Sequence, residues 1–281
     1  LIPRRGGPAD VLDRAIDVVD RARASGLDVA FDAHTRLHGI TNLSAALPAH
    51  VLVGGATALA ARLRDSAVRD ELRRYESIIS SFGLGGWDRV FLFQSERRPD
   101  LVGKSFAEIA GTGDPFDVIF DVLLAEADDP HAPMVVCLSY EEDELLHTYR
   151  HDLCTIGSDA TALATDGPLA GSTFLGAYTW AAWFFRRFVR ERRAFTVEAA
   201  VQKLAAAPAA RFGLADRGRL AEGLRADVIV FDPATFAERG TLESPNRLAV
   251  GMDHVIVNGV LTLHNGQPTG DHGGEVLRRP N

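Results

Sequence analysis

Apolar residues recur at helical spacing after Pro8, and the pattern stops at Gly26. This spacing predicts an amphipathic helix between them, because residues three or four positions apart share one face of a helix. The following segment, 27–31, is a continuous apolar run typical of a buried strand, and it leads into Asp32-Ala33-His34. Polar side chains therefore collect at the carboxyl end of the first predicted strand.

Helical patterns and strand-like runs alternate up to residue 157. The predicted helices are 57–75, 105–110, 115–127 and 141–149, and the predicted strands are 89–93, 134–138 and 154–157. Strands separated by helices and short turns predict right-handed crossovers and a parallel sheet covered on both faces. His34, Ser139 and Asp159 fall at or just past predicted strand ends, where barrels place their chemistry, although an open doubly wound sheet satisfies the same pattern.

The pattern changes near residue 213. Before it, segment 177–193 predicts a long aromatic-rich helix, and Thr196 is placed to cap another. After it, short β-type runs follow one another, and Asn258-Gly259 is a hairpin signal. We therefore predict an α/β domain over residues 1–213 and a small β domain over residues 214–281.

Composition narrows the class of protein. The 281 residues are 46% hydrophobic and 24% charged, which predicts a globular fold. The net charge of −8 disfavours nucleic acid as a partner, and the apolar runs are too short to span a membrane. Cys137 and Cys154 lie inside strand-like runs, so we expect no disulfide framework and a cytoplasmic location.

Three residues are candidates for chemistry. Asp159 directly follows the run 154–157, which suits a metal ligand or general base, and equally a helix N-cap. His34 and His38 are four residues apart, a metal-ligand spacing if that segment were helical. Arg36 could present a bidentate fork to a carboxylate or form a structural salt bridge. Phosphate-binding loops and nucleophile-elbow motifs are absent from the sequence.

The β-rich segment resembles a known family. Residues 220–233, which read LAEGLRADVIVFDP, and residues 254–259, HVIVNG, are similar to the closing strands of metal-dependent amidohydrolases. The middle of the chain narrows the resemblance to N-acyl-D-amino-acid deacylases, also called D-aminoacylases. The segments that carry it are Gly86-Trp87-Asp88-Arg89, Val102-Gly103-Lys104-Ser105, Ile156-Gly157-Ser158-Asp159 and Asp166-Gly167-Pro168-Leu169.

This resemblance implies a fold and a zinc centre. The expected fold is the C-terminal part of a (β/α)8 TIM barrel plus a small composite β-sandwich. Asp159 matches the family's aspartate after the last barrel strand, which sits at the zinc centre and serves as general base and then acid. The other family ligands have no counterpart here. We therefore expect one or two Zn²⁺ ions held mostly by a missing N-terminal half or partner subunit, and an oligomer.

Two departures from the family bear on the substrate. His34-Thr35-Arg36 stands in place of a Tyr-Pro-Tyr segment, so His34 is expected to help polarise the scissile carbonyl. Phe174-Leu175-Gly176 replaces a His-Pro-Arg segment whose arginine binds the substrate carboxylate, and Arg36 is a candidate substitute. The expected activity is hydrolysis of a C–N amide bond in an N-acyl-D-amino acid. The alternatives are a cyclic-amide hydrolase like hydantoinases and dihydroorotases, and a non-catalytic subunit of such an enzyme.

Overall fold

The chain divides into two compact units. The computed structural model describes residues 8–161, 163, 167–169, 174, 176–242 and 244–278. One unit, the flanking unit, contains Leu12–Arg36 and the described residues from Asp143 onward. The other, the inserted unit, contains Leu37–Glu142. The predicted boundary between residues 213 and 214 lies inside the flanking unit and stays a prediction.

The described part of the chain contains both strands and helices, so the fold is mixed α/β. The strands are β1 Phe31–His34, β2 His38–Asn42, β3 Val90–Gln94, β4 Met134–Leu138, β5 Cys154–Gly157, β6 Val228–Phe231, β7 Met252–Val257, β8 Val260–His264 and β9 Gln267–Pro268. The α-helices are α1 Val11–Ala24, α2 Ala49–Leu52, α3 Gly55–Arg64, α4 Ser66–Leu72, α5 Ile78–Gly83, α6 Phe106–Ala110, α7 Pro115–Ala125, α8 Glu142–Arg150, α9 Trp180–Phe184, α10 Val197–Val201 and α11 Ala207–Arg211.

A two-stranded parallel sheet lies in the flanking unit. β1 pairs with β5 from Phe31 opposite Cys154 to His34 opposite Gly157. The strand predicted at 27–31 therefore begins at Phe31 and continues through the polar residues that were expected to follow it. Parallel strands run in one direction, so the segments after β1 and β5 leave the sheet at the same edge.

The inserted unit contains an antiparallel sheet, which corrects the prediction that these strands join a parallel sheet. Its order is β2-β4-β3, and β4 pairs antiparallel with both neighbours. Central β4 buries Val135, Val136 and Cys137 in succession, and such a run resembles a parallel strand because both sheet faces are covered. β2 was not predicted, since all of its residues are only partly buried.

Helices also depart from the predicted limits. The helix expected over 57–75 is two helices, because Asp65 ends α3 and its carboxylate accepts hydrogen bonds from Ala67 N (2.8 Å) and Val68 N (3.3 Å) at the start of α4. The aromatic-rich helix continues from α9 into a π-helical segment, Phe185–Glu191. Thr196 caps α10 as predicted, since its hydroxyl accepts a hydrogen bond from the backbone N–H of Ala199.

Aromatic side chains fill the core of the flanking unit beside β1. Tyr149 of α8 is fully buried and meets the rings of Phe184 and Phe188 edge-on, with centroids 5.4 and 5.2 Å away. Its hydroxyl donates a hydrogen bond of 2.5 Å to the carbonyl of His34, the last residue of β1. Edge-to-face aromatic packing contributes about 0.5–1.5 kcal/mol per pair beyond the area buried. The end of β1 is therefore fixed to the aromatic core.

A four-stranded antiparallel sheet, in the order β6-β7-β8-β9, forms the C-terminal part of the flanking unit. The hairpin between β7 and β8 turns at Asn258 (φ 50°) and Gly259 (φ 82°), as the sequence predicts, because a two-residue turn of this hand requires positive φ at both positions. In the part of the chain that is described, no helix is long and apolar enough to cross a membrane.

Leu92 offers a test of the core of the inserted unit. It is fully buried in β3, so Leu92→Ala should lower the free energy of unfolding by about 2–5 kcal/mol through lost burial and a residual cavity. Leu84→Ala is the matched control, because Leu84 is 70% exposed, and it should change stability by less than about 0.5 kcal/mol. Urea unfolding followed by circular dichroism measures both. Equal midpoints for the two variants would contradict the placement of Leu92.

Candidate active site

The carboxyl ends of β1 and β5 place all three predicted site residues at one sheet edge. His34 is the last residue of β1 and lies opposite Gly157, the last residue of β5. Arg36 follows β1 by two residues and Asp159 follows β5 by two residues. Parallel α/β proteins build their sites at this end of the strands, because the loops that leave it can vary without disturbing the sheet.

Asp159 presents its carboxylate to solvent from a constrained backbone. Its side chain is 73% exposed, and its φ of 44° lies in the left-handed region. That region costs most L-residues roughly 1–2 kcal/mol, and aspartate occupies it only occasionally, although more often than most residue types. The N-cap alternative has no support here, because the described residues that directly follow Asp159 do not form a helix.

Arg36 holds the loop that carries Asp159. One terminal nitrogen, Nη1, donates to the Ser158 carbonyl (2.6 Å). The other, Nη2, donates to the Asp159 carbonyl (2.8 Å) and to Asp159 Oδ2 (2.6 Å). Only 7% of the Arg36 side chain is exposed. A buried guanidinium needs a compensating charge and hydrogen-bond acceptors, and this loop supplies a carboxylate and two carbonyls to its terminal nitrogens.

Phe174 and Gly176, which follow Asp159 in the sequence, lie beside the Arg36 guanidinium. The ring of Phe174 lies 5.3 Å from the central carbon of the Arg36 guanidinium, within the range of a cation–π contact. Gly176 has a φ of 110°, and a Cβ at this position would lie 3.3 Å from Arg36 Nη1. A larger residue at 176 would therefore be strained and would press on the arginine. The middle residue of the Phe174-Leu175-Gly176 segment lies outside the described residues.

His34 is neutral under ordinary conditions. Burial, followed by the positive charge of Arg36, lowers its pKa to about 3. Its backbone is held by Tyr149, whose hydroxyl bonds the His34 carbonyl. Burial likewise raises the pKa of Tyr149 well above its usual value, so this phenol remains a donor. Tyr149 was not singled out from the sequence, where it reads as one apolar position of α8.

Metal-ligating side chains do not cluster in the part of the chain that the structure describes. Among the residues that the structure describes, no group of three or more His, Cys, Asp or Glu side chains is arranged to hold a metal ion. Burial raises the pKa of the Cys154 thiol to about 12, so it stays protonated and is a poor ligand. His38 lies in β2, so the four-residue spacing from His34 is not a helical metal motif. Asp159 and neutral His34 could each provide one ligand to a metal ion whose other ligands come from elsewhere.

Lys203 is a half-buried residue whose polar contacts the sequence did not indicate. Its Nζ donates to the carbonyls of His151 and Cys154, each at 3.0 Å, and burial lowers its pKa. These carbonyls lie at the amino end of β5, which is the end opposite Asp159. Lys203 therefore supports the start of the strand rather than the candidate site.

Comparisons with known proteins agree with the predicted family. A family model described as the amidohydrolase family matches residues 120–263. N-acyl-D-glutamate deacylase from Alcaligenes xylosoxydans xylosoxydans is 32% identical over 261 residues, which cover 93% of this chain and 43% of that protein. The chain therefore spans less than half the length of this relative.

Solved structures extend the similarity to the fold. A D-aminoacylase structure that concerns the binuclear metal centre of that enzyme has a TM-score of 0.67 and 25% identity, covering 95% of this chain and 46% of its own. N-acyl-D-glutamate deacylase from Bordetella bronchiseptica, complexed with zinc and a phosphonate mimic of the tetrahedral intermediate, has a TM-score of 0.58 and 26% identity over 92% of this chain and 45% of its own. This chain belongs to the amidohydrolase family.

Proposed function

We propose that the chain supplies the proton-transfer carboxylate of a zinc-dependent hydrolase that removes the acyl group from N-acyl-D-amino acids. The observation that carries this proposal is the position of Asp159 after β5, next to the end of β1, where Arg36 holds its loop. The relatives named N-acyl-D-glutamate deacylase and D-aminoacylase support the substrate class. Because the chain matches less than half of each, the activity belongs to the assembled enzyme, meaning this chain together with the portion that it does not span.

Asp159 fits a zinc centre as one ligand of several. A carboxylate oxygen is an ordinary zinc ligand, and this one is exposed at the edge of the sheet. We assign the remaining ligands of one or two Zn²⁺ ions to the portion of the relatives that this chain does not span. When bound, zinc would polarise the amide carbonyl and lower the pKa of water at the site towards about 7.

In this proposal, the chemical role of the chain's own residues is to transfer one proton through Asp159. Asp159 would accept the proton of the attacking water through its carboxylate and then deliver it to the nitrogen of the leaving amine. General acid–base transfer of this kind contributes about 10²–10⁴ in rate. The hydrogen bond from Arg36 to Oδ2 leaves Oδ1 as the oxygen on which the proton can be carried, since no described residue donates to Oδ1.

His34 would act as a neutral hydrogen-bond donor to the substrate. Its pKa of about 3 keeps the imidazole uncharged across the working range, so one ring N–H can point at the carbonyl oxygen without adding a charge to the site. The Tyr149 hydroxyl donates a hydrogen bond to the His34 carbonyl, and fixing this backbone restricts where the imidazole ring can lie. This role replaces the one that the first tyrosine of the family's Tyr-Pro-Tyr segment performs.

The proposed fold of the whole enzyme is a (β/α)8 barrel with a composite β-sandwich. In this proposal residues 1–213 contribute the last part of the barrel, and residues 214–281 contribute strands of the sandwich. The parallel sheet that the structure describes has two strands, β1 and β5, and two strands cannot close a barrel. This supports the need for further strands. The chain's 46% coverage of the D-aminoacylase structure points in the same direction.

Exposed apolar surface on the flanking unit supports the proposal that another segment or subunit packs there. An apolar cavity of about 600 Å³ lies between α11 and the sheet of β6 and β7. Phe212, which lines it, is 71% exposed, and Leu220 is 78% exposed. Exposed apolar residues, and an edge of β6 that pairs with no strand among the described residues, favour pairing with another segment. We propose that an N-terminal half or partner subunit covers this surface, and that the assembled enzyme is an oligomer.

A cyclic-amide hydrolase is the second candidate. Phe174 and Gly176 stand where the family has the His-Pro-Arg segment, so the usual arginine for a substrate carboxylate is missing. A cyclic amide such as a hydantoin needs no carboxylate partner. Assaying the assembled enzyme on N-acyl-D-amino acids and on hydantoins separates the two substrate classes.

Asp159 is the direct test of the mechanism. Asp159→Asn keeps the size of the side chain but cannot accept the proton, so kcat for release of the D-amino acid should fall by about 10²–10⁴. Asp143→Asn is the control, because Asp143 is also an exposed aspartate paired with an arginine, Arg192, and activity should be unchanged. Full activity of Asp159→Asn in the assembled enzyme would exclude the proposed role.

His34 provides a test through pH. The unfolded chain binds a proton on His34 below about pH 6.5, whereas the folded chain does so only near pH 3. Stability is therefore complete above about pH 6.5 and falls as the pH drops towards 3, by at most about 1.4 kcal/mol per pH unit. His34→Gln should reduce this slope in urea unfolding of the chain between pH 7.5 and 4.5, and His50→Gln, an exposed histidine, should not. Identical slopes in wild type and His34→Gln would contradict the buried neutral state.

A further inference from the structure

We infer that Arg36 is a positioning residue that holds Asp159 in its reactive orientation, rather than a binding residue for the substrate carboxylate. This inference rests on the proposed function, because it concerns the same carboxylate. Its basis is that both terminal nitrogens of the Arg36 guanidinium donate hydrogen bonds to two consecutive residues, Ser158 and Asp159.

The two backbone bonds fix the path of the loop. Carbonyls of Ser158 and Asp159 both accept from the one guanidinium, at 2.6 and 2.8 Å. Asp159 has a positive φ of 44°, a conformation that needs support from its surroundings to persist. Arg36 provides that support through main-chain contacts, which would remain if the carboxylate changed its protonation state.

The third bond fixes the side chain of Asp159. Nη2 of Arg36 bonds Oδ2 at 2.6 Å, which sets the rotamer of a carboxylate that is otherwise 73% exposed. A freely rotating carboxylate would occupy the reactive geometry for only part of the time. Reaction rates fall steeply with misplacement, by about 100-fold for an error of about 1 Å.

The surroundings of Arg36 disfavour the binding of a substrate carboxylate to its guanidinium. The side chain is 7% exposed and its guanidinium lies 5.3 Å from the centre of the Phe174 ring. A Cβ at position 176 would lie 3.3 Å from Nη1, so little space is left on that side. To bind a substrate carboxylate with the same Nη2, the guanidinium would have to release Asp159 and leave that charge without its partner. The positioning role and the substrate-binding role are therefore mutually exclusive for this nitrogen.

A lysine cannot reproduce the arrangement. A guanidinium is a planar fork whose two ends reach separate acceptors at once, whereas an ammonium is a single compact charge. Arg36→Lys retains the charge and the buried stem, so it tests the geometry of the fork apart from the charge and the packing. Arg36→Met removes the charge as well.

The test compares two substrates on the assembled enzyme. Kinetics are measured for Arg36→Lys and Arg36→Met on an N-acetyl-D-amino acid and on its α-carboxamide, which lacks the carboxylate. A positioning role predicts that kcat falls by about 100-fold on both substrates by the same factor, with KM changed by less than about threefold. The control Arg192→Met removes another arginine of the flanking unit that pairs with an exposed aspartate, and it should leave both constants unchanged.

Other outcomes overturn the inference. A rise in KM confined to the carboxylate substrate would make Arg36 a substrate-binding residue. Unchanged kinetics of both Arg36 variants, together with loss of activity in Asp159→Asn, would exclude positioning while the proposed function stands. Full activity of Asp159→Asn would instead contradict the proposed function itself.

Hydrogen exchange on the chain alone tests the same inference without an activity assay, so it applies even if a variant is less stable. Hydrogen exchange of the backbone amides over residues 157–161 should be at least tenfold faster in Arg36→Lys than in wild type, while exchange in β4 of the inserted unit stays the same. Unchanged exchange at 157–161 would show that Arg36 does not hold the loop. If Arg36→Met fails to fold, the kinetics of Arg36→Lys decide the question.

Discussion

Parallel pairing of β1 with β5 is the constraint on which the candidate site depends. It brings together segments far apart in the chain, so that Arg36 reaches a residue 123 positions away. The strands end in register, with His34 opposite Gly157, and the polar residues that follow them emerge at one edge. Lys203 at the start of β5 and Tyr149 behind the end of β1 fix the pair from both ends.

The site combines a buried cation with an exposed anion. Arg36 is enclosed, whereas Asp159 faces outwards, so the pair is anchored from the arginine side. A position at or past a predicted strand end singled out His34 and Asp159 in the sequence, and the guanidinium fork singled out Arg36. Their mutual contacts were not predictable, because a sequence pattern carries no information about which loop a buried guanidinium meets. Their roles in catalysis remain proposals.

The fold shows which sequence signals are reliable. The limits predicted for β4 and β5 match the structure, because a short apolar run between turns defines a buried strand. The predicted parallel pairing of β3 and β4 was wrong, because the two strands pair antiparallel. An apolar run shows that a strand is buried on both faces, and this also occurs in the centre of antiparallel sheets. β2 was missed because its half-buried residues lack alternation. These errors all lie in the inserted unit, whereas the strands that carry the candidate site were predicted within a few residues.

We propose that Asp159 contributes its carboxylate to a zinc centre completed by ligands from outside this chain. A crystal structure of the assembled enzyme, with anomalous scattering recorded at the zinc edge, tests it most directly. We expect an Asp159 oxygen about 2.0–2.2 Å from zinc, with the other ligands supplied by the remaining half. A zinc centre with Asp159 turned towards bulk solvent, away from any ion, would contradict it.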